Sequence, residues 1–249
     1  MLFDFAKQKF DIILHAGQSN SEGFGHGETD KPYTPNDKIW MYHCTDNAIS
    51  MAQERVFENY ICGNFSLSFA QKYVDAGLLE DDRKVLIVNI NRGSSGFFNH
   101  LWGMQDELYL QMMDMTETAL SLNPENRIVA FLWHQGETDG KNGMSYDTHY
   151  NNLYNLVESV RKKFNCYDVP LIMGNFCYHW AELNSEVTTP VIDAIKAVSA
   201  AESMSAFVDT KGLRSNDQAL GNGDTIHFCR DSLIELGIRY FEAYKELIK

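Results

Sequence analysis

Apolar residues along the chain follow two alternating rhythms. Short apolar runs occupy residues 10–15, 39–42, 85–90, 128–133, 171–176 and, more weakly, 206–208, with the length and β-branched content of strands. Three of them are almost uninterrupted, as strands covered on both faces require. Between the runs, apolar positions recur at helical spacing. Leu67, Ala70, Tyr73 and Val74 mark one stripe, and Leu108, Met112, Met115, Ala119 and Leu122 a second. Tyr150, Leu153, Tyr154, Val157, Val160 and Phe164 form the clearest, and Leu233, Leu236, Tyr240, Phe241, Tyr244 and Leu247 the last. Strand and helix alternate, which predicts an α/β fold: a central parallel sheet of about five strands with helices on both faces. No repeat and no Pro-, Gly- or Ser-rich linker interrupts the pattern, so a single domain over residues 1–249 is expected. Irregular stretches at 21–36, 43–63 and 210–224 each follow a strand, and loops of this length are usually functional or disordered.

Composition narrows the partners more than the chemistry. Apolar residues make up 44% and charged residues 22% of the chain, as in ordinary globular proteins. A formal net charge of −13 argues against nucleic acid and against anionic membrane surfaces, both of which need clustered Lys and Arg. The five cysteines (Cys44, Cys62, Cys166, Cys177 and Cys229) are scattered and never form a Cys-x-x-Cys pair. They read as free thiols rather than as a zinc or redox motif. The first residues lack a basic segment followed by an apolar core, so the expected location is the cytoplasm, unless a removed leader once preceded them. No apolar run approaches the length of a membrane span.

Polar clusters gather where the apolar runs stop. Gly17, Gln18, Ser19 and Asn20 follow the first strand, and the carboxyl ends of strands are where open α/β sheets bind ligands. An ordinary turn is the competing reading of this string. A serine becomes a nucleophile when a base takes its proton, and an imidazole needs an acceptor for its second N–H. Asp224 and His227 supply such a pair, because a carboxylate three residues before the ring can fold back onto it in a tight loop. His134, Gln135, Gly136, Glu137, Thr138 and Asp139 follow the fourth strand. Gln135 is a candidate donor into the cleft, Glu137 an alternative acid for His227, and Asp139 a cap of the turn. Asn91, Arg92, Gly93, Ser94, Ser95 and Gly96 follow the third strand, where a glycine lets a backbone N–H approach an oxyanion. Nucleophile, base, orienting acid and donors together satisfy the requirements of acyl transfer.

These blocks resemble those of the SGNH-type serine hydrolases, specifically the sialate O-acetylesterase and acetylxylan esterase branch (carbohydrate esterase family 6). The family's first block resembles residues 17–20, its His-Gln-Gly-Glu block residues 134–137, and its terminal Asp-x-x-His Asp224 and His227. The second block is matched more loosely around Gly93, and Ser21, Arg92 and Phe228 depart from residues common in that branch. The resemblance implies a flavodoxin-like, three-layer α/β/α sandwich without metal or cofactor. It implies Ser19, Asp224 and His227 as the catalytic residues, and an oxyanion hole of the Ser19 and Gly93 N–H groups with the Gln135 side chain. The implied substrate is a small-molecule or oligosaccharide acetyl ester, of sialic acid or xylo-oligosaccharide type. Arg92, Trp102 and Trp180 are candidate sugar contacts, with a packing role the favoured reading of the two tryptophans. The competing functions are a small-acyl esterase acting on a non-sugar metabolite and a non-catalytic carbohydrate-binding protein.

Overall fold

Strand β1 (Lys9–Gly17) runs through the centre of the molecule, and its side chains alternate between two cores. Phe10, Ile12, Leu14 and Ala16 enter one core, and Ile13 enters the other. A computed structural model describes residues 2–249; Met1, the first residue of the expected domain, lies outside them. In chain order the elements after β1 are α1 (Ser19–Glu22), β2 (Ile39–His43), β3 (Ala48–Met51), β4 (Arg55–Phe57), β5 (Tyr60–Cys62), α2 (Phe65–Asp75) and β6 (Arg83–Asn91). They continue with α3 (Glu107–Ser121), β7 (Arg127–His134), α4 (Glu137–Lys141), α5 (Tyr146–Phe164) and β8 (Leu171–Gly174). The chain ends with α6 (Tyr178–Leu183), α7 (Ser185–Ala201), β9 (Ser205–Val208), α8 (Asn216–Leu220) and α9 (Arg230–Leu247).

Among the described residues one sheet has seven strands, in the order β3-β2-β6-β1-β7-β8-β9. Six are parallel, and β3 pairs antiparallel with β2 at the edge. The sheet is therefore larger than the expected five strands, and mixed. Helices α3, α5 and α7 cover the face that receives Leu14 and Trp133, while α2 and α9 cover the face that receives Ile13 and Ile87. The three-layer α/β/α architecture follows. The region 43–63, expected to be irregular, contains β3 and the β4–β5 hairpin. Glu58 and Asn59 link the hairpin with φ of 48° and 67°, the doubly positive φ that a two-residue type I′ turn needs. Helix α7 joins the four helices that the apolar stripes predict, burying Val191, Ile195 and Val198.

Strand order also fixes where a ligand can enter. From β1 the chain runs outward to β2, returns through β6 and then crosses to β7 on the other side of β1. The crevice at the carboxyl end of β1 is thus a topological switch point, where open α/β sheets bind ligands.

The opposite end of β1 is held by charge. Asp11 is fully buried, and its carboxylate accepts from Arg83 Nε at 2.7 Å, Arg127 Nε at 2.7 Å and the Tyr73 hydroxyl at 2.8 Å. Arg83 is buried as well and donates onward to the Phe10 and Glu125 carbonyls. β1, β6 and β7 are pinned together at their amino ends by this cluster. Removing one partner of a buried ion pair leaves an uncompensated charge and costs about 3–5 kcal/mol. Asp11→Ala should lower the urea-unfolding free energy by that amount with an unchanged m-value; a loss below about 1 kcal/mol would show that Arg83 and Arg127 re-solvate freely.

Candidate active site

Gly17 ends β1 in a position that admits no side chain. A Cβ there would lie 2.2 Å from the His134 carbonyl oxygen and 2.4 Å from Ser21 Oγ. The close approach lets that single carbonyl accept from Gln18 N at 3.2 Å and Ser21 Oγ at 3.0 Å. The chain is thereby forced into the one-turn helix α1, whose first residue is Ser19. Gln18 reinforces the turn from the other side: its Oε1 accepts from Thr138 N at 3.1 Å.

Ser19, His227 and Asp224 come together in series. The Ser19 hydroxyl lies 2.8 Å from His227 Nε2, and His227 Nδ1 lies 2.9 Å from Asp224 Oδ2 and 3.1 Å from Oδ1. Asp224 Oδ1 also accepts from the His227 backbone N–H, so carboxylate and ring share one tight loop. Burial opposes the charge on Asp224, but hydrogen bonds from His227 and Asn216 outweigh it and hold the carboxyl down at about 2. Phe24 stacks against the imidazole, with ring centroids 5.4 Å apart and planes 24° from parallel.

Two asparagines fix this loop, and residue spacing gives no sign of either role. Buried Asn216 donates to Asp224 Oδ2 and to the Phe24 carbonyl, each at 2.9 Å, and its backbone N–H reaches the His227 carbonyl. Asn20 donates to the Ile226 carbonyl at 3.2 Å and accepts from Phe228 N at 3.1 Å, gripping the residues on either side of His227. Glu137 answers to Asn20 rather than to the imidazole. It is fully buried, with Oε1 2.8 Å from Asn20 Nδ2 and 3.6 Å from His134 Nε2. The alternative in which Glu137 orients His227 is thus replaced by one in which it orients Asn20.

Other expectations need correction. Gln135 is buried, and its amide donates to Asp139 Oδ2 at 2.8 Å and the Ser95 carbonyl at 3.2 Å, not into the cleft. Asp139 is a buried acceptor, not a turn cap: it takes Gln135 and the Phe98 N–H and ties the loop after β6 to that after β7. Trp102 is fully buried against Trp133 and donates to Ser95 Oγ, so it has no face for a sugar. Arg92 points to the surface, paired with Glu107 at 2.7 Å. Trp180 packs on Phe176 and borders a cavity of about 250 Å³ that is also lined by Asp224, Thr225 and Ile226. Gly93 does lie beside Ser19: a Cβ on it would be 3.9 Å from Ser19 Cβ. Its N–H donates to Glu22 Oε2 at 2.7 Å.

A second cavity of about 300 Å³ borders α1 at Glu22 and is walled also by Cys44, Arg55, Asn89 and Asn91. Arg55 pairs with Glu22 and sits over the Phe24 and Phe57 rings at 4.5 and 4.9 Å. A roomier cavity of about 510 Å³, between residues 31–36 and helices α2 and α9, has none of Ser19, Asp224 or His227 on its wall.

A hydroxyl, an imidazole and a carboxylate thus stand in series at the carboxyl edge of this sheet. The chain belongs to the family described as carbohydrate esterase, sialic acid-specific acetylesterase, whose sequence model matches residues 9–246. Its members are carbohydrate acetylesterases, hydrolases that act on ester bonds. The probable 9-O-acetyl-N-acetylneuraminic acid deacetylase of Escherichia coli (strain K12) is 24% identical over 226 residues, spanning 69% of this chain and 68% of that protein. A probable carbohydrate esterase of Arabidopsis thaliana is 25% identical over 254 residues, spanning 94% and 89%. The crystal structure of NanS shares the fold with a TM-score of 0.79 at 20% identity, covering 96% of this chain and 98% of that one.

His15, beneath the site on β1, gives the fold a pH signature. The ring is fully buried, packs edge-on against Phe65 and contacts Asn89 and Asn91. Desolvation drives its pKa down to about 3. The unfolded chain therefore takes up a proton below about pH 6.5 that the folded chain refuses until about pH 3. Stability should fall as pH drops through this window. In urea titrations from pH 7 to 4.5, His15→Gln should flatten the slope; an unchanged slope would assign the acid sensitivity to other groups.

Proposed function

We propose that the protein is a serine esterase that removes acetyl groups from O-acetylated sugars through an acetyl-Ser19 intermediate. The observation that carries this reading is the 2.8 Å hydrogen bond from the Ser19 hydroxyl to an imidazole whose other nitrogen is held by Asp224. Ser19 Oγ attacks the acetyl carbonyl carbon as His227 Nε2 takes the hydroxyl proton. The ester C–O bond then breaks, and the proton passes from Nε2 to the departing sugar oxygen. Water attacks the acetyl group next, giving its proton to the same nitrogen, and acetate leaves as Ser19 recovers its hydrogen. Asp224 stays ionised throughout and stabilises the imidazolium. The oxyanion is served by the N–H of Ser19, at the unpaired start of α1, and by that of Gly93.

Sialic acid is the favoured sugar over xylo-oligosaccharide, because the family description and the Escherichia coli relative both name it. The substrate test is acetate release from 9-O-acetyl-N-acetylneuraminic acid beside an acetylated xylo-oligosaccharide, with faster release from the former expected. Ser19→Ala should reduce turnover by several powers of ten, and a rate equal to wild type would end the serine mechanism. Asp224→Asn should cost roughly 10²- to 10⁴-fold in kcat. Glu137→Gln should cost far less, since it acts through Asn20. The opposite ranking, in a folded protein, would return the orienting role to Glu137.

A further inference from the structure

Glu22 lies three residues after Ser19, so both belong to the single turn of α1. Its Oε2 accepts the Gly93 N–H at 2.7 Å, and its other oxygen accepts from Arg55 Nη1. Arg55 in turn sits over the edge-to-face pair of Phe24 and Phe57, and Phe24 stacks on His227. A closed circuit thus surrounds the nucleophile, and it ends on the amide that acyl transfer needs.

We propose that Glu22 is a brake on this esterase: its carboxylate, anchored by Arg55, occupies the Gly93 N–H and must leave before that amide can hold the oxyanion. The inference rests on the acyl-transfer reading above. A backbone N–H has one hydrogen to give, and here Glu22 has it. An oxyanion forming beside Ser19 would also meet a carboxylate of the same sign on the same donor. The Glu22 side chain is 27% exposed and has three rotatable bonds, so it has solvent to swing into. Glu22 is therefore a residue that sets the rate of the reaction without taking or giving a proton. The competing role is a brace that keeps the 91–96 loop in place. The two roles predict opposite signs, because losing a brace lowers kcat and losing a brake raises it.

The test is steady-state hydrolysis of 4-nitrophenyl acetate by wild type, Glu22→Ala, Glu22→Gln and Ser19→Ala. Glu22→Ala should raise kcat on the order of tenfold, the effect of restoring one preorganised donor to the oxyanion, with KM changed little. Glu22→Gln keeps the shape and an acceptor oxygen but loses the charge, and should fall between wild type and Glu22→Ala. A boronic acid gives a second readout. Its boron bonds to Ser19 Oγ while the hydroxyl proton passes to His227, forming a tetrahedral anion that calls on the same donors. It should bind about tenfold tighter to Glu22→Ala than to wild type. A kcat equal to or below wild type in both Glu22 variants, at unchanged melting temperature, overturns the brake. If Glu22→Ala does not fold, the isosteric Glu22→Gln decides alone. A full rate in Ser19→Ala fails the serine mechanism instead, and a wild type and variants all inert fail both.

Discussion

The whole site depends on how closely the ends of β1 and β7 approach each other at Gly17. A side chain there would strike the His134 carbonyl, so only glycine lets that oxygen collect the Gln18 amide and the Ser21 hydroxyl. Those two bonds turn the chain within a few residues and leave Ser19 at the rim of the sheet. β7 ends at His134 and α4 opens three residues on at Glu137, so the strand that forces the turn leads directly into the support for Asn20. The approach is sustained from the far end of the sheet, where Asp11 binds Arg83 of β6 and Arg127 of β7 at once. Register along three strands is thus fixed at one end by charge and at the other by close backbone contact.

Much of this frame was legible in the sequence for a plain reason. Strands β1, β6 and β7 are covered on both faces, so desolvation demands near-continuous apolar runs, and the runs are visible. β3, β4 and β5 were not, because each is three or four residues long and lies partly open to solvent, where no pattern is imposed. Ser19, Asp224 and His227 were legible as short blocks because each block closes on itself: the His227–Asp224 bond spans three residues. Contacts between blocks were not. Gln135 looked like a cleft donor because Asp139, four residues on, was read as a cap, whereas the two side chains satisfy each other in the interior. Trp102 is the packing aromatic favoured over a sugar platform, but sequence carries no sign of the Trp133 face and Ser95 hydroxyl that bury it.

Three carboxylates surround Ser19, and environment alone assigns them different work. Asp224 is partly exposed and meets an imidazole and an amide, both donors, so its charge is stabilised where it orients His227. Glu137 is fully buried and spends one oxygen on Asn20, which in turn places the backbone on both sides of the imidazole. Glu22 is paired with Arg55 and takes the Gly93 amide beside Ser19. Glu22 and Glu137 follow strand ends and Asp224 follows α8, yet residue type alone gives the same signal for each. Only the partner that reaches each oxygen separates an orienting acid from a support and from a competitor.

That distinction bears on how a fold stabilises an anion that exists only in passing. A developing oxyanion needs donors that point at it before it forms, yet an amide left bare in the ground state is a cost wherever water cannot reach it. At the start of a one-turn helix the cost is small, because such N–H groups lack helical partners in any case, and the Ser19 amide is of this kind. Gly93 sits on a loop across Glu22 from half-buried Arg55, a positive charge that also needs a partner. One glutamate on the same turn as Ser19 satisfies both groups, and under the proposed mechanism it does so at the expense of readiness. The −13 net charge adds to this tension, since an acidic protein holds an anionic intermediate against its own field and must rely on local donors. If acyl transfer runs through Ser19 as proposed, local geometry at Gly93 then weighs more on its barrier than the charge of the whole molecule.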